Sequence, residues 1–297
     1  MNIFKSIERN WNKRNVIQAI ANAEQQNNDV VTIHRIDKKN IGDYYCAPHH
    51  YFEVLKGKSL DIFDYKSEDK AVRSHFINEI SNRSLIIGGG GLLNRSGFDK
   101  QMQLFEKLTQ KGKKIVLWGV GHNEKSPKTY GKVSKYNVDI QKFGLVGTRD
   151  YKMPGEYVPC VSCLHPIFDQ QFTLSNEVGI VFHKDTLKKE HITTKYQNFA
   201  TSSNTTNLEE LIQFIGSSEN IITDSYHTMY WAMLLGKKVV AIPNSSKFFD
   251  FKHQPIISTF DEALQHLNKG VIYDGLLDEC RDLNHKFAEK AFNYLNL

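Results

Sequence analysis

Cysteine and proline are both scarce, with four Cys and seven Pro in 297 residues. Four cysteines cannot staple a 34.2 kDa chain into a dense disulfide framework, so a reducing compartment is expected. Together with only 19 Gly, the low proline excludes collagen-like and low-complexity chains. No apolar run approaches the ~18–20 residues that span a bilayer. The longest, Leu85 to Leu93, holds four glycines. A signal-peptide core is missing too, because charged residues follow Phe4 almost at once. Nor is charge one-sided. There are 38 Lys and Arg against 33 Asp and Glu, net +5, with no block of five like charges and no nucleic-acid signature. What is present is 40% apolar and 24% charged residues, the composition of a folded globular protein. A soluble, cytoplasmic protein of two domains that binds no nucleic acid is expected, at ~150 residues per domain.

Short β-branched runs alternate with helical patterns. Strands are predicted at Val30–Ile36, Leu60–Tyr65, Ser84–Gly88, Lys114–Gly119, Phe143–Thr148 and Tyr157–Val161, then at Val178–His183, Asn220–Thr223 and Lys238–Pro243. Helices are predicted at Phe98–Gln110, Ser225–Leu235 and Ile257–Leu267. A final helix from Leu276 to Leu297 carries Leu276, Cys280, Leu283, Phe287, Ala291 and Tyr294 on one face. This alternation predicts α/β structure with parallel sheets covered on both faces. The stretch Pro159–Asn176 interrupts the rhythm, which places a boundary near residue 172 and domains at 1–172 and 173–297. Thr201–Asn207 reads as a polar loop that also supplies a helix cap.

Ligands of open α/β sheets bind beyond the carboxyl ends of the strands, and unusual polar residues fall at those ends. Asn40, Gly42 and Asp43 follow the first strand; Asp43 suits either a helix N-cap or a group that bonds sugar hydroxyls or takes a proton. A buried strand runs into Gly88, Gly89, Gly90 and Gly91, either a tight crossover or a backbone cradle for an anion. It lacks the spacing of a P-loop or a dinucleotide fingerprint. His122 closes Trp118-Gly-Val-Gly-His122 and is a candidate substrate contact. Arg149 follows another strand; it suits carboxylate or phosphate, or a surface ion pair with Asp150. His183 and Lys184 end a strand of the second half. His227 falls in the first turn of a helix capped by Asp224 or Ser225, where the dipole favours a neutral imidazole and bound anions. Cys160 and Cys163 have half-zinc spacing, but no second pair completes a four-ligand site.

In this order, the segments resemble the polysaccharide pyruvyl transferase family over about residues 40–250. The matching features are Asn40-x-Gly42-Asp43, the strand and glycine run from Ile86 to Leu93, Gly119-x-Gly121, and Arg149-Asp150. To these are added the polar-x-His helix start and following strand from Thr223 through Ile242, then Ser245, Ser246 and Lys247. Where many members carry Arg two residues before the helix His and Gly after it, this chain has Ser225 and Thr228. Lys247, Lys184 or Arg95 are the candidates to supply that cation. The resemblance implies two Rossmann-like domains in a glycosyltransferase-B-like arrangement, with the active site in the interdomain cleft and the final helix crossing back. It implies transfer of a pyruvate ketal from phosphoenolpyruvate to two hydroxyls of a saccharide in a surface or exported polysaccharide, with release of phosphate.

Such a reaction needs a general acid and cationic groups for carboxylate and phosphate. His227 is the candidate acid or phosphate-orienting group, and Asp43 the candidate base. Arg149 would clamp the donor with Lys247 and Ser225. Asn40, Gly42, the glycine run, Arg95, His122, His183, Lys184 and Ser246 would bind substrate. No cofactor or metal is required. The alternatives are a nucleotide-sugar glycosyltransferase of the same architecture and a non-catalytic glycan-binding protein. The first 14 residues carry Ile3, Phe4, Ile7 and Trp11 among Lys5, Arg9, Lys13 and Arg14. That pattern suits a helix packed on its own domain, or a peripheral contact at the inner face of the membrane with a lipid-linked acceptor.

Overall fold

A computed structural model describes residues 3–297, with side chains from residue 10 onward. The chain is α/β and builds two parallel, Rossmann-like sheets. The first contains β1 (Val30–His34), β2 (Ser59–Asp61), β3 (Ser84–Leu93), β4 (Ile115–His122), β5 (Leu145–Thr148) and β6 (Glu156–Tyr157), in the order β2-β1-β3-β4-β5-β6. The second contains β7 (Asn176–Phe182), β8 (Ala200–Ser203), β9 (Ser218–Thr223), β10 (Lys238–Ala241) and β11 (Ile256–Ile257), in the order β11-β10-β9-β7-β8. The helices are α1 (Ile3–Asn22), α2 (Ile41–Tyr45), α3 (Lys70–Asn82), α4 (Asp99–Thr109), α5 (Glu190–Thr193), α6 (Leu208–Gly216), α7 (Tyr226–Leu234) and α8 (Leu276–Leu295).

Each sheet begins the same way: its first strand lies between its second and third. The chain therefore leaves the first strand in one direction and returns to build the sheet in the other. That reversal opens a crevice beyond the carboxyl ends of β1 and β3 in one sheet and of β7 and β9 in the other.

Local chemistry moves several element ends from their expected places. The strand expected over Leu60–Tyr65 stops at Asp61, because Asp61 Oδ1 accepts from Phe63 N and Asp64 Oδ2 accepts from Asp61 N. These bonds turn the chain into a 3-10 turn. Instead of a helix over Ile257–Leu267, Ile256 and Ile257 pair with β10, and helical structure waits until a 3-10 segment at Ala263–Lys269. Ala200–Ser203 is an edge strand rather than a loop; it pairs only with β7, so a polar sequence suffices there. Asn207 does cap α6, its side chain accepting from Glu210 N at 2.8 Å.

The two sheets are joined by shared packing. α7 is buried at all nine positions, as expected of a helix apolar all round. Its core includes Ile41 and Cys46 from the first half and Cys160, Cys163 and Phe168 from the connecting segment. Tyr230 donates to Cys160 O at 2.9 Å, and Trp231 Nε1 to Ser162 Oγ at 2.9 Å. α8 starts in that core with Leu276 and Cys280. It ends on the first sheet, where Phe287, Ala288, Ala291 and Leu295 pack with Val116, Trp118 and Val158. At its middle the buried stripe holds Asn284, and Leu283 lies half-buried beside it. Asn284 Oδ1 accepts from Trp118 Nε1 at 3.0 Å, and its Nδ2 donates to Pro159 O at 3.2 Å and Cys280 O at 3.0 Å.

α1 packs Val16 and Ile20 into the first core, while Trp11 is 64% exposed. The side chains of Ile3, Phe4, Lys5, Ile7 and Arg9, on which the membrane expectation rests, lie outside the described residues. No helix among the described residues is long and apolar enough to cross a membrane.

Replacing Asn284 by Ala leaves the Trp118 N–H and the Pro159 carbonyl buried without a partner. The variant is expected to lose about 2–4 kcal/mol of stability, read from the denaturant midpoint of the full chain. A change below half a kcal/mol would show that these bonds do not tie α8 to the first sheet.

Candidate functional site

A cavity of about 390 Å³ lies where the two crevices meet. From the first sheet it takes Arg35, Asn40 and Asp43 beyond β1, Gly89, Gly90 and Gly91 in β3, and Arg95 just after it. From the second it takes His183, Lys184 and Asp185 beyond β7, and His227 beyond β9. Arg149, after β5, and Lys247, after β10, complete the polar wall, with Lys125 beside them.

The glycine run is not a loop. β3 continues through it, pairing Gly88 with Trp118 and Gly90 with Val120, and its register slips only between Gly90 and Leu93. Glycine is needed because the chain of α2 lies against the strand. A Cβ on Gly89, at φ +32°, would stand 1.8 Å from Cys46 O. The run thus brings the segment carrying Asn40, Asp43 and Cys46 down onto the sheet. Gly88 packs against Pro48 and does not face the cavity. Gly42 has a similar part across the two halves: a Cβ there would meet His227 Nδ1 at 2.1 Å.

The cavity is strongly basic. Arg35 is bonded to Asp61, and Lys184 donates to Asp37 at 2.9 Å. Three other cations have no hydrogen-bond or ion-pair partner among the described residues, and a fourth, Lys125, is bonded only to Asn244. Arg149 is 1% exposed and makes no hydrogen bond from Nε, Nη1 or Nη2; its guanidinium lies 4.2 Å from the Tyr226 ring centroid. Lys247 Nζ lies 5.5 Å from the same centroid. Burial, then repulsion from Lys125, Arg149 and Arg95, brings the Lys247 ammonium down to about 7 against the pull of Asp43. Arg95 is the third. Three unpaired cations around a partly closed space are suited to an anion. Of the three cations weighed in place of an arginine at Ser225, Lys247 and Arg95 have no side-chain partner among the described residues, and Lys184 is engaged by Asp37.

The ionisable groups beside them are displaced in opposite directions. Burial raises the Asp43 carboxyl above its ordinary range, outweighing Lys247 and Arg149, and Asn40 Nδ2 donates to its Oδ2 at 2.8 Å. Burial, with Arg149 and Lys247 nearby, holds the His227 imidazole well below its ordinary value. Its Nε2 is buried without a partner. His183 is brought down to about 4 by burial and the neighbouring Lys247.

Several expected contacts lie elsewhere. Ser225 is the buried N-cap of α7; its N–H donates to Thr223 Oγ1 and its side chain makes no cap bond. Asp224 does not cap the helix either, since it accepts from His183 N at 2.7 Å and Thr186 Oγ1 at 2.6 Å. His122 and Ser246 bond to each other at 2.6 Å, with Asp150 and Asp250 3.9 and 3.6 Å from His122 Nε2. This buried cluster ties the halves together and does not line the main cavity. Arg149 does not pair with Asp150, whose Oδ2 accepts from His122 N and Tyr136 Oη.

Sequence reasoning missed Asn204, which bridges the halves. Its Nδ2 donates to Asn40 Oδ1 at 3.1 Å, and its Oδ1 accepts from Lys184 N at 2.8 Å. It also missed Lys125, and the convergence of His34, His49 and His50 behind α2. The adjacent pair His49-His50 after a strand ending in His34 was the available signal. Cys160 and Cys163 are buried thiols, Cys160 beside Ser162 Oγ at 3.2 Å and Cys163 beside Asn284.

No family model and no curated protein matches the chain. Among solved structures it is similar to an uncharacterized protein from Klebsiella pneumoniae subsp. pneumoniae, with 15% identity and a TM-score of 0.44 over 92% of this chain and 99% of that one.

If an anion binds beside Lys247, its affinity should depend on pH. The Lys247 ammonium is charged below about 7 and neutral above, so affinity for sulfate, which does not itself titrate here, is expected to fall about tenfold from roughly pH 6 to pH 8. Lys247→Met should bind weakly at both and flatten the profile in calorimetry. A wild-type slope retained in that variant would assign the dependence to another group.

Proposed function

We propose that the chain is a ketal-forming pyruvyl transferase that uses phosphoenolpyruvate as donor and a saccharide as acceptor. In this reading the two halves are Rossmann-like domains in a glycosyltransferase-B-like arrangement, and the cavity between them is the active site. The observation that carries it is Arg149: a guanidinium sealed from solvent, with three nitrogens lacking a protein partner, at a cavity wall shared with Lys247 and Arg95. A small, doubly anionic ligand suits that set. A planar carboxylate can take two of Arg149's N–H groups, and a phosphate can take Lys247 and Arg95.

The environments favour the reverse of the acid and base roles suggested by sequence. A carboxyl raised by burial holds a proton, and an imidazole held neutral can receive one. Asp43 is therefore the acid that protonates C3 of phosphoenolpyruvate, turning its methylene into a methyl group and leaving positive charge at C2. His227 Nε2 accepts the proton of the first sugar hydroxyl as its oxygen bonds to C2. The C2–O bond to phosphate then breaks. The second hydroxyl closes the ketal as its proton leaves with inorganic phosphate. Lys247 and Arg95 stabilise the departing phosphate, as preorganised cations do, while Arg149 holds the carboxylate. Asn40, bonded to both Asp43 and Asn204, fixes the acid while the halves are together.

A second reading has one specific support. Phe98 lies on the cavity rim, stacked at 5.0 Å on Phe63, whose other face is covered by Lys66 Nζ, so Phe98 is the ring that offers a nucleobase a stacking face. A nucleotide-sugar glycosyltransferase would use the same cations for a diphosphate.

Purified protein with phosphoenolpyruvate and a suitable saccharide is expected to release phosphate only when both are present, and the glycan should gain one acid-labile carboxyketal. Arg149→Lys should weaken donor binding by about 1–3 kcal/mol, and His227→Gln should lower turnover by roughly 10²–10⁴. Thermal stabilisation by a nucleoside diphosphate, with none by millimolar phosphoenolpyruvate, would replace this reading by the glycosyltransferase.

A further inference from the structure

The turn after α2 brings three histidines together outside the cavity. His34 is the last residue of β1 and is wholly buried, whereas His49 and His50, in the 3-10 turn Pro48–His50, are half-buried. One ring nitrogen from each lies within 4.8 Å of the others. The His49 ring is 4.9 Å from that of His34 and 3.9 Å from that of His50, centroid to centroid.

The hydrogen bonds of two rings settle which nitrogens are free. A carbonyl only accepts, so His34 Nδ1 donates to Asp43 O at 3.3 Å, and His50 Nε2 donates to Tyr44 O at 2.9 Å. In the neutral rings this leaves lone pairs on His34 Nε2 and His50 Nδ1. His34 Nε2 and His49 Nδ1 are buried without any partner. Ligating histidines are oriented in this way, one nitrogen donating to a backbone carbonyl and the other turned to a metal.

We propose that His34, His49 and His50 form a site for a divalent cation of the zinc class. Three neutral nitrogens and no carboxylate select zinc, cobalt, nickel or copper over magnesium or calcium. Three protein ligands leave a fourth position for water. Zinc–nitrogen bonds of about 2.0–2.1 Å require the rings to draw closer, which small rotations of the half-buried His49 and His50 allow. Both carbonyl partners belong to α2, so a bound metal pins the turn at residues 48–50 to the end of β1. With it is fixed the segment that presents Asn40 and Asp43 to the cavity. The site is a clamp on the cavity wall, and its ligands are distinct from the groups assigned to substrate.

Untagged full-length protein, stripped with chelator, is titrated with Zn²⁺ and with Co²⁺ by calorimetry and visible absorption. One equivalent should bind at micromolar concentration or tighter, and Co²⁺ should show the visible bands of a four- or five-coordinate nitrogen site. His49→Ala and His50→Ala, at half-buried positions, should remain folded and each lose about tenfold or more in affinity. Mg²⁺ at millimolar concentration should not compete. No saturable binding at about 100 µM zinc, binding unchanged in both variants, or displacement by Mg²⁺ would each overturn the site.

Discussion

The Arg149 guanidinium is charged, sealed from water and unbonded at all three nitrogens. Burying such a group is costly unless something in the fold compensates. Here the compensation is the face of Tyr226 at 4.2 Å and, on the anion reading, the ligand itself. The arrangement forces its surroundings. Tyr226 opens α7, so the helix must start where β9 ends. α7 is buried on every side, so both halves must close on it. Asp150, the neighbour in sequence that would neutralise Arg149, is instead held by His122 and Tyr136.

The same strand order in both sheets explains why so many polar groups meet in one place. A reversal of chain direction beside the first strand leaves a crevice at its carboxyl end, and the chain produces it twice. Set against each other, the two crevices make one space. Direct bonds then fix their relation: Lys184 to Asp37, Asn204 to Asn40, Ser246 to His122. The close seat of Gly42 on His227 leaves no freedom for the imidazole to turn away. Because α8 begins in one core and ends in the other, separating the halves would expose apolar surface along both.

Within that space, the charges do more than attract an anion. Burial, with repulsion from Lys125, Arg149 and Arg95, brings Lys247 down to about 7, while Arg149 cannot lose its proton. Burial, helped by Arg149 and Lys247, keeps His227 neutral, and burial keeps Asp43 protonated to higher pH than an exposed aspartate. On the proposed reading, an acid, a base and an anion clamp share one cause, the burial of these groups beside cations.

The α/β alternation was legible from the sequence because buried parallel strands read as apolar runs, and the helix cap at Asn207 because its chemistry is local. So was the gathering of Asn40, Asp43, Arg149, His183 and His227, since each follows a strand and strand ends converge. What local patterns could not show was direction and partner. The glycine run reads as a loop, yet it is a strand that lets another segment lie on it. His122 and Ser246 sit at strand ends but face each other, and the edge strand Ala200–Ser203 is polar because one side of it needs no cover. The roles proposed for Asp43 and His227 follow the same rule. Residue type suggests an acid and a base; which is which depends on burial and on cations far away in the chain, and only the packed fold decides those.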